Sequence, residues 1–253
     1  MGMEILTVGT GSSGNAYIVT EDDGSMVLLD AGMSLKAIKQ AINFDISKIK
    51  FCLVTHEHKD HCLAVPDLID NGIPVISSFT VRNKIDKRLI PLVEGAKTNL
   101  FGHVITPFYV PHTSIVDGQT VECKNFAFYI VFPNGERMVY ATDFEYLPYS
   151  MKKQRVSHWL IEANYLDFSG IDENRREHVL KGHCGLQTVI GIVKENWTPY
   201  MRNVILCHLS SENANAEIMR KQVQLAAGDT VRVSVAEPGK TIVLDSAHID
   251  WEV

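Results

Sequence analysis

The sequence predicts an α/β fold in which two sheets pack together with helices on the outside. Short apolar strand patterns fill both halves of the chain, and each half carries helical patterns of its own. At 253 residues, 45% of them hydrophobic, the chain is long enough to bury a sizeable core. No Pro/Gly/Ser-rich linker, internal repeat or like-charge block divides it, so residues 1–253 are read as one domain.

In chain order, an alternating strand is expected over 4–9. A turn-forming Gly11-Ser12-Ser13-Gly14-Asn15 leads to a strand over 17–20, and a hairpin connection at 21–25 leads to a buried run over 26–30. Ser34 then caps a helical pattern marked by Leu35, Ile38 and Ile42. A buried strand over 49–54 runs into Thr55-His56, followed by a helix over 63–71, a strand over 74–77 and a helix over 81–90. Strands return over 104–110, 121–132 and 138–142. The last third alternates a strand at 159–162, helices at 173–181 and 186–195, a strand at 204–206 and a helix at 214–226. Strands at 230–236 and 241–244 close the chain.

Composition excludes several classes. Twenty-four basic against 30 acidic residues leave a net charge of −6, so any nucleic-acid binding has to be local rather than driven by global charge. Five scattered cysteines without a C-x-x-C pair read as reduced, packed thiols. With neither a signal-peptide pattern nor an apolar run long enough to span a bilayer, a cytoplasmic protein with no membrane partner is expected.

The chemical signal is Thr55-His56-Glu57-His58-Lys59-Asp60-His61. Imidazole nitrogens and a carboxylate suit zinc, or manganese or iron. On an extended segment His56 and His58 point the same way; if the chain then turns into a helix, Asp60 and His61 face elsewhere. One segment can thus serve two ions, provided that partners come from afar. Three candidates share a setting at the end of an apolar strand: His112 after Val110-Pro111, Asp143 after Tyr140-Ala141-Thr142, and His208 after Leu206-Cys207. Such ends converge on one edge of a layered fold.

These residues resemble the metallo-β-lactamase-fold hydrolases. Leu28-Leu29-Asp30-Ala31-Gly32 looks like the family's first motif, His56-x-His58-x-Asp60-His61 like its signature, and His112, Asp143 and His208 like the later motifs in order. The resemblance implies a four-layer αββα sandwich of two mixed sheets and a pair of divalent metal ions. It places His56, His58 and His112 on the first ion, Asp60, His61 and His208 on the second, and Asp143 between them, with Asp30 orienting the site from behind. Gly11 to Asn15, Glu162-Ala163-Asn164 and Cys207 to Asn213 resemble the single-domain bacterial branch of WalJ/YycJ-type DNA exonucleases. Two departures stand out: Tyr165-Leu166-Asp167 replaces a histidine-aspartate element, and Ala64 stands where glycine is common.

The implied reaction is hydrolysis by metal-activated water, with Asp60 accepting a proton and His183 (His178 behind it) supplying one to the leaving oxygen. Nucleic acid is the expected substrate, with a small-molecule hydrolase (lactonase, thioesterase or cyclic phosphodiesterase) as the alternative. An open basic groove favours the first and a narrow apolar pocket the second. Lys84, Lys87 and Arg88 on one helix and Arg175 with Arg176 on another are candidate groove cations. Phe79, Phe108 and Tyr109 are candidate base-stacking rings. The Gly11 to Asn15 loop is either a phosphate-approaching turn or a tight sheet connection.

Overall fold

The computed structural model describes residues 2–116, 119–167, 171 and 173–246, with only the backbone at 115–116, 173–175 and 177–178. The expectations resting on the side chains of Arg175 and His178 therefore lie outside the described residues.

The first sheet begins with β1 (Glu4–Gly9), β2 (Ala16–Thr20) and β3 (Met26–Leu29). Helix α1 (Leu35–Ala41) crosses to β4 (Ile49–Leu53), and short helices α2 (Lys59–Cys62) and α3 (Val65–Asp70) lead to β5 (Val75–Ser77). Helix α4 (Phe79–Lys84) leads to β6 (Ile90–Pro91). The second sheet takes β7 (Thr98–Leu100) and β8 (His103–Val110). After a separate ribbon of β9 (Thr113–Val116) and β10 (Gln119–Glu122), it continues with β11 (Asn125–Val131), β12 (Arg137–Ala141) and β13 (His158–Glu162). Helices α5 (Glu173–Gly182) and α6 (Leu186–Asn196) precede β14 (Asn203–Cys207), and α7 (Ala216–Ala227) precedes β15 (Arg232–Val235). The final strand, β16 (Thr241–Val243), returns to the first sheet.

The sheet orders are β16-β1-β2-β3-β4-β5-β6 and β15-β14-β13-β12-β11-β8-β7. Both are mixed: β3 to β6 and β12 to β15 pair in parallel, and the remaining neighbours pair antiparallel. Side-chain alternation builds three apolar layers from these two sheets. In β4, Phe51 and Leu53 join Tyr17, Phe126, Phe128 and Leu160 between the sheets. Cys52, which points the other way, packs with Ile38, Val65, Leu68 and Val81 under the helices of the first sheet. Trp159 and Ile161 of β13 pack beneath α6 and α7 against Val189, Val193, Met219 and Val223. The result is the αββα sandwich.

Ser34 caps α1 as its position predicts, accepting from Ala37 N at 3.2 Å. All five cysteines are free and buried. Among the described residues no helix is long and apolar enough to cross a membrane.

Several elements differ from the sequence expectation. The strand expected over 121–132 is two: β10 pairs with β9, a ladder that runs on to Cys123 N donating to the His112 carbonyl at 2.9 Å, whereas β11 pairs with β8 and β12 in the second sheet. The helix expected over 63–71 is α3, two residues later in its start, and Ala64 serves as its N-cap residue at φ −92°. That backbone needs no glycine. The helix expected over 81–90 stops at Lys84. Arg88 therefore lies off it, held by Asp70 (2.8 Å) and Asp86 (2.7 Å), while Lys84 pairs with Glu57 at 3.0 Å. These cations are neutralised by carboxylates and do not form the expected basic helix face.

Candidate metal centre

The parallel strands β3, β4, β12, β13 and β14 all end at the same edge. Strand β8 joins them, because it is antiparallel to β11, which is itself antiparallel to β12. At that edge the chain leaves β4 through Thr55 to His58, then turns into α2, with His61 N donating to the His58 carbonyl at 2.9 Å. The extended half carries His56 and His58, and the helical half carries Asp60 and His61.

The structure brings all seven candidate ligands together in two groups sharing Asp143. The ligand atoms of His56, His58, His112 and Asp143 lie within 4.8 Å of one another, and so do those of Asp60, His61, Asp143 and His208. In the first group His58 Nδ1 is 2.8 Å from His56 Nε2 and 3.1 Å from His112 Nε2. Asp143 turns Oδ2 towards His56 Nε2 (4.0 Å). It turns Oδ1 towards His61 Nε2 (3.3 Å) and His208 Nε2 (3.4 Å). Asp60 Oδ2 stands 3.4 Å from His61 Nε2 and 3.9 Å from His208 Nε2.

These rings are oriented from behind. His61 Nδ1 donates to Asp30 Oδ2 at 2.7 Å, and His112 Nδ1 donates to the Gly182 carbonyl at 2.8 Å. His208 Nδ1 faces Glu162 Oε1 at 3.0 Å. His56 Nδ1 lies 3.0 Å from Thr55 Oγ1, a hydroxyl that itself donates to Asp30 at 3.1 Å. Each of the four thereby turns Nε2 inward, while His58 turns Nδ1 inward. Outer partners of this kind fix tautomer and ring direction. Asp30 is fully buried and also accepts from Thr55 N (2.8 Å) and Tyr140 OH (2.5 Å).

Backbone geometry is concentrated here too. Asp30, Asp143 and His208 leave their strands in the left-handed region, at φ 56°, 54° and 52°. Asp and His are among the residues that tolerate this conformation, at a cost on the order of 1 kcal/mol. Gly32 has a simpler reason: a Cβ there would sit 1.6 Å from the Asp60 carbonyl. The Gly11 to Asn15 loop grips the same segment through Asn15, whose N donates to Asp60 O at 2.7 Å and whose Nδ2 lies 3.1 Å from His61 Nε2.

The donor set suits a borderline divalent ion. His58's 2.8 and 3.1 Å separations approach the edge, roughly 3.3 Å, of a tetrahedron of zinc–nitrogen bonds. His208 Nε2 is buried and accepts or donates no hydrogen bond among the described residues, although it is aimed at two carboxylates. An orphaned imidazole nitrogen facing Asp60 and Asp143 is what a cation would satisfy.

Electrostatics divides the centre. Burial pushes the His56 imidazole well below its ordinary range, lowers His58, and pushes His112 down to about 4. Burial acts the same way on His61 and His208 but is outweighed. Asp143 and Asp30 hold His61 well above its usual range, and Asp143, Asp60 and Glu162 push His208 up to about 10.

Above the cluster opens a cleft of about 310 Å³. It is lined by His58, Asp60, His112, Asp143 and His208, together with His183, Asn164, Ser12, Ser210, Asn213 and Val179. His183, expected in a turn between helices, follows α5 directly. Its Nδ1 donates to Glu162 Oε1 at 2.7 Å, and its ring stacks 5.3 Å from that of His208. Neither an open basic groove nor a narrow apolar pocket describes this cleft. Phe108 is buried on the outer face of the second sheet. Tyr109 bonds Glu122, and Phe79, half exposed, stands at the start of α4. None of the three rings lines the cleft.

Glu162 and Asn164 were absent from the candidate ligands, although the resemblance had marked their tripeptide. Glu162 is fully buried and joins His183 to His208 through Oε1, while Oε2 accepts from Phe144 N and Cys184 N at 3.1 Å. Asn164 Nδ2 donates to the His208 carbonyl at 3.0 Å. The signal was present: Glu162 ends a strand, as do the segments before Asp143 and His208. The Tyr165 departure is structural, since a Cβ on Gly185 would lie 2.3 Å from the Tyr165 ring.

A strand-edge cluster of five histidines and two aspartates in an αββα sandwich defines a metallo-hydrolase. A model of the beta-lactamase superfamily domain matches residues 25–195, and the chain belongs to that superfamily. Among curated proteins it is 26% identical over 247 residues to exodeoxyribonuclease YycJ of Bacillus anthracis, covering 88% of each chain. It is also 26% identical over 253 residues to exodeoxyribonuclease WalJ of Streptococcus pneumoniae, covering 90% of each. The crystal structure of the metallo-beta-lactamase fold protein YhfI from Bacillus subtilis superposes with a TM-score of 0.71 at 17% identity, over 96% of this chain and 99% of that one.

Proposed function

We propose that this hydrolase is a dinuclear phosphodiesterase acting on nucleic acid, an exonuclease, with two divalent ions, zinc in the first place and manganese or iron as alternatives. The observation that carries this reading is Asp143, whose two oxygens face two separate nitrogen-rich groups. His56, His58 and His112 would hold one ion, and Asp60, His61 and His208 the other. When bound, such a pair acidifies water and polarises a phosphoryl oxygen.

The chain's own residues supply the rest. Asp60, at 28% side-chain exposure against 4% for Asp143, is the more open of the two carboxylates and takes the incoming water's proton. Glu162 holds His183 by Nδ1 and so keeps the ring turned towards the cleft, where it donates a proton to the leaving oxygen. Asp30 and the Gly182 carbonyl keep His61 and His112 in the orientation that presents Nε2.

The exonuclease names of two relatives that align over most of the chain support the substrate class. The polar cleft supports it over a small apolar substrate, because hydroxyls, amides and an imidazole suit a sugar-phosphate. The test is metal analysis of the purified protein followed by assay on single-stranded and duplex DNA, RNA, bis-p-nitrophenyl phosphate and a lactone. Two equivalents of metal and DNA hydrolysis are expected; turnover of the lactone alone would sink the reading.

A further inference from the structure

Two loops line the same cleft as the carboxylates and imidazoles, each carrying a serine and each tied to a different candidate ligand by an asparagine. Ser12 occupies the corner of a turn closed by Gly14 N donating to Gly11 O at 3.0 Å. Asn15 locks that turn, its Oδ1 accepting from Gly11 N at 2.9 Å, and ties it to Asp60 and His61. Gly11 and Gly14 take φ of 89° and 138°, and a Cβ on Gly14 would fall 2.5 Å from the Gly32 carbonyl. The turn is therefore wedged against the ligand-bearing segment, and the position of Ser12 is set by that of the centre.

The second loop repeats the arrangement. Ser210 N donates to the Asn164 carbonyl at 2.8 Å, and Asn164 in turn holds His208. Ser210 Oγ accepts from Asn213 N at 3.1 Å and Glu212 N at 3.3 Å. With two N–H groups already donating to that oxygen, its own proton is left for an acceptor outside the loop. Thr10 joins the loops, accepting from His208 N at 2.9 Å.

We propose that Ser12 and Ser210, with the Asn213 side-chain amide, form a neutral cradle for the phosphodiester next to the one being cut. The substrate end is then held by hydrogen bonds to a phosphate that does not react. This rests on the nuclease reading and deepens it. Among the described residues no lysine or arginine lines the cleft, and Lys84 and Arg88 are engaged by carboxylates. Neutral donors on rigid turns are what this wall offers a second phosphate, and a hydrogen bond to a charged acceptor is worth roughly tenfold or more in affinity.

The experiment compares wild-type, Ser12→Ala, Ser12→Thr and Ser13→Ala in the metal-loaded protein on two substrates. One is a short single-stranded oligodeoxynucleotide; the other is the p-nitrophenyl ester of thymidine 5′-monophosphate, which has no neighbouring phosphate. Ser12→Ala should raise KM for the oligonucleotide about tenfold, leave kcat within twofold, and lose that effect on the ester. Ser12→Thr should restore KM, and Ser13→Ala, one position along the turn and not lining the cleft, should match wild-type. Equal effects of Ser12→Ala on both substrates, or none on either, overturn the cradle. A wild-type protein inert towards both overturns the nuclease reading itself, and the cradle with it.

Discussion

The two halves of the metal centre are built from the same residue type and behave oppositely. In one, His56, His58 and His112 are pushed down by burial and present unprotonated nitrogens at neutral pH. In the other, His61 and His208 face Asp30, Asp60, Asp143 and Glu162, and are held protonated. Burial acts on both; the second half has more carboxylates around it, while in the first the neighbouring imidazoles push His56 down further. Without a cation the second half keeps its charge balance by retaining protons, which occupy the place a metal would take. The first half has no such debt and is ready to bind.

The largest expected effect comes from removing what the halves share. Asp143→Asn should cut metal content from two equivalents to below one and abolish hydrolysis, as read by elemental analysis and turnover; a variant retaining both metals breaks the proposed bridge. His58→Ala should act on one half only. Metal content falls to about one equivalent and turnover is lost, while the far-ultraviolet circular dichroism of the fold is kept. Wild-type turnover in that variant would remove the metal mechanism.

Next in size is Glu162→Gln, which touches only the carboxylate-rich half and His183. Outer partners of metal ligands typically contribute 10–100-fold to affinity or activity. A loss in that range, confined to the second metal equivalent in a competition titration, sharpens the contrast; equal weakening of both equivalents erases it.

Proton release tests the electrostatic difference directly. Calorimetry at pH 7 in buffers of different ionisation enthalpy should show the first equivalent binding with little proton release and the second expelling protons from His61 and His208. Stability of the metal-free protein follows the same shifts. His208, raised to about 10, contributes fully below about 6.5, and that contribution is lost as pH rises through about 10. His112, lowered to about 4, contributes fully above about 6.5 and is lost as pH falls through about 4. The urea midpoint should therefore fall on both sides of neutrality. The smallest effect is expected of Lys84→Ala combined with Arg88→Ala. Paired with Glu57, Asp70 and Asp86, these cations should change KM for DNA by less than twofold and leave its salt dependence intact; a larger change would restore a basic groove.

The candidate ligands were readable in the chain because their context repeats. His56 to His61 follow a buried strand directly, and His112, Asp143 and His208 each stand just beyond an apolar run. Glu162 obeys the same rule but ends its strand without a break in hydrophobic pattern, and its role depends on His183 and His208 meeting it from other segments. The fate of Lys84 and Arg88 was not readable, since Glu57 and Asp70 reach them from other segments; Asp86, two residues before Arg88, is a local partner. The left-handed exits at Asp30, Asp143 and His208 were equally silent, because residue type permits such a backbone without requiring it.

By itself the sequence determined the layered α/β class, the superfamily resemblance and the side chains that gather as candidate ligands. Apolar periodicity and strand-end polarity are local properties, and a short motif carries its own spacing. Tertiary structure alone decided which imidazoles are neutral and which are charged, which serines face the cleft, and which cations are already spent. Those outcomes depend on distances between groups far apart in the chain, and Coulomb energy and desolvation follow those distances rather than residue order.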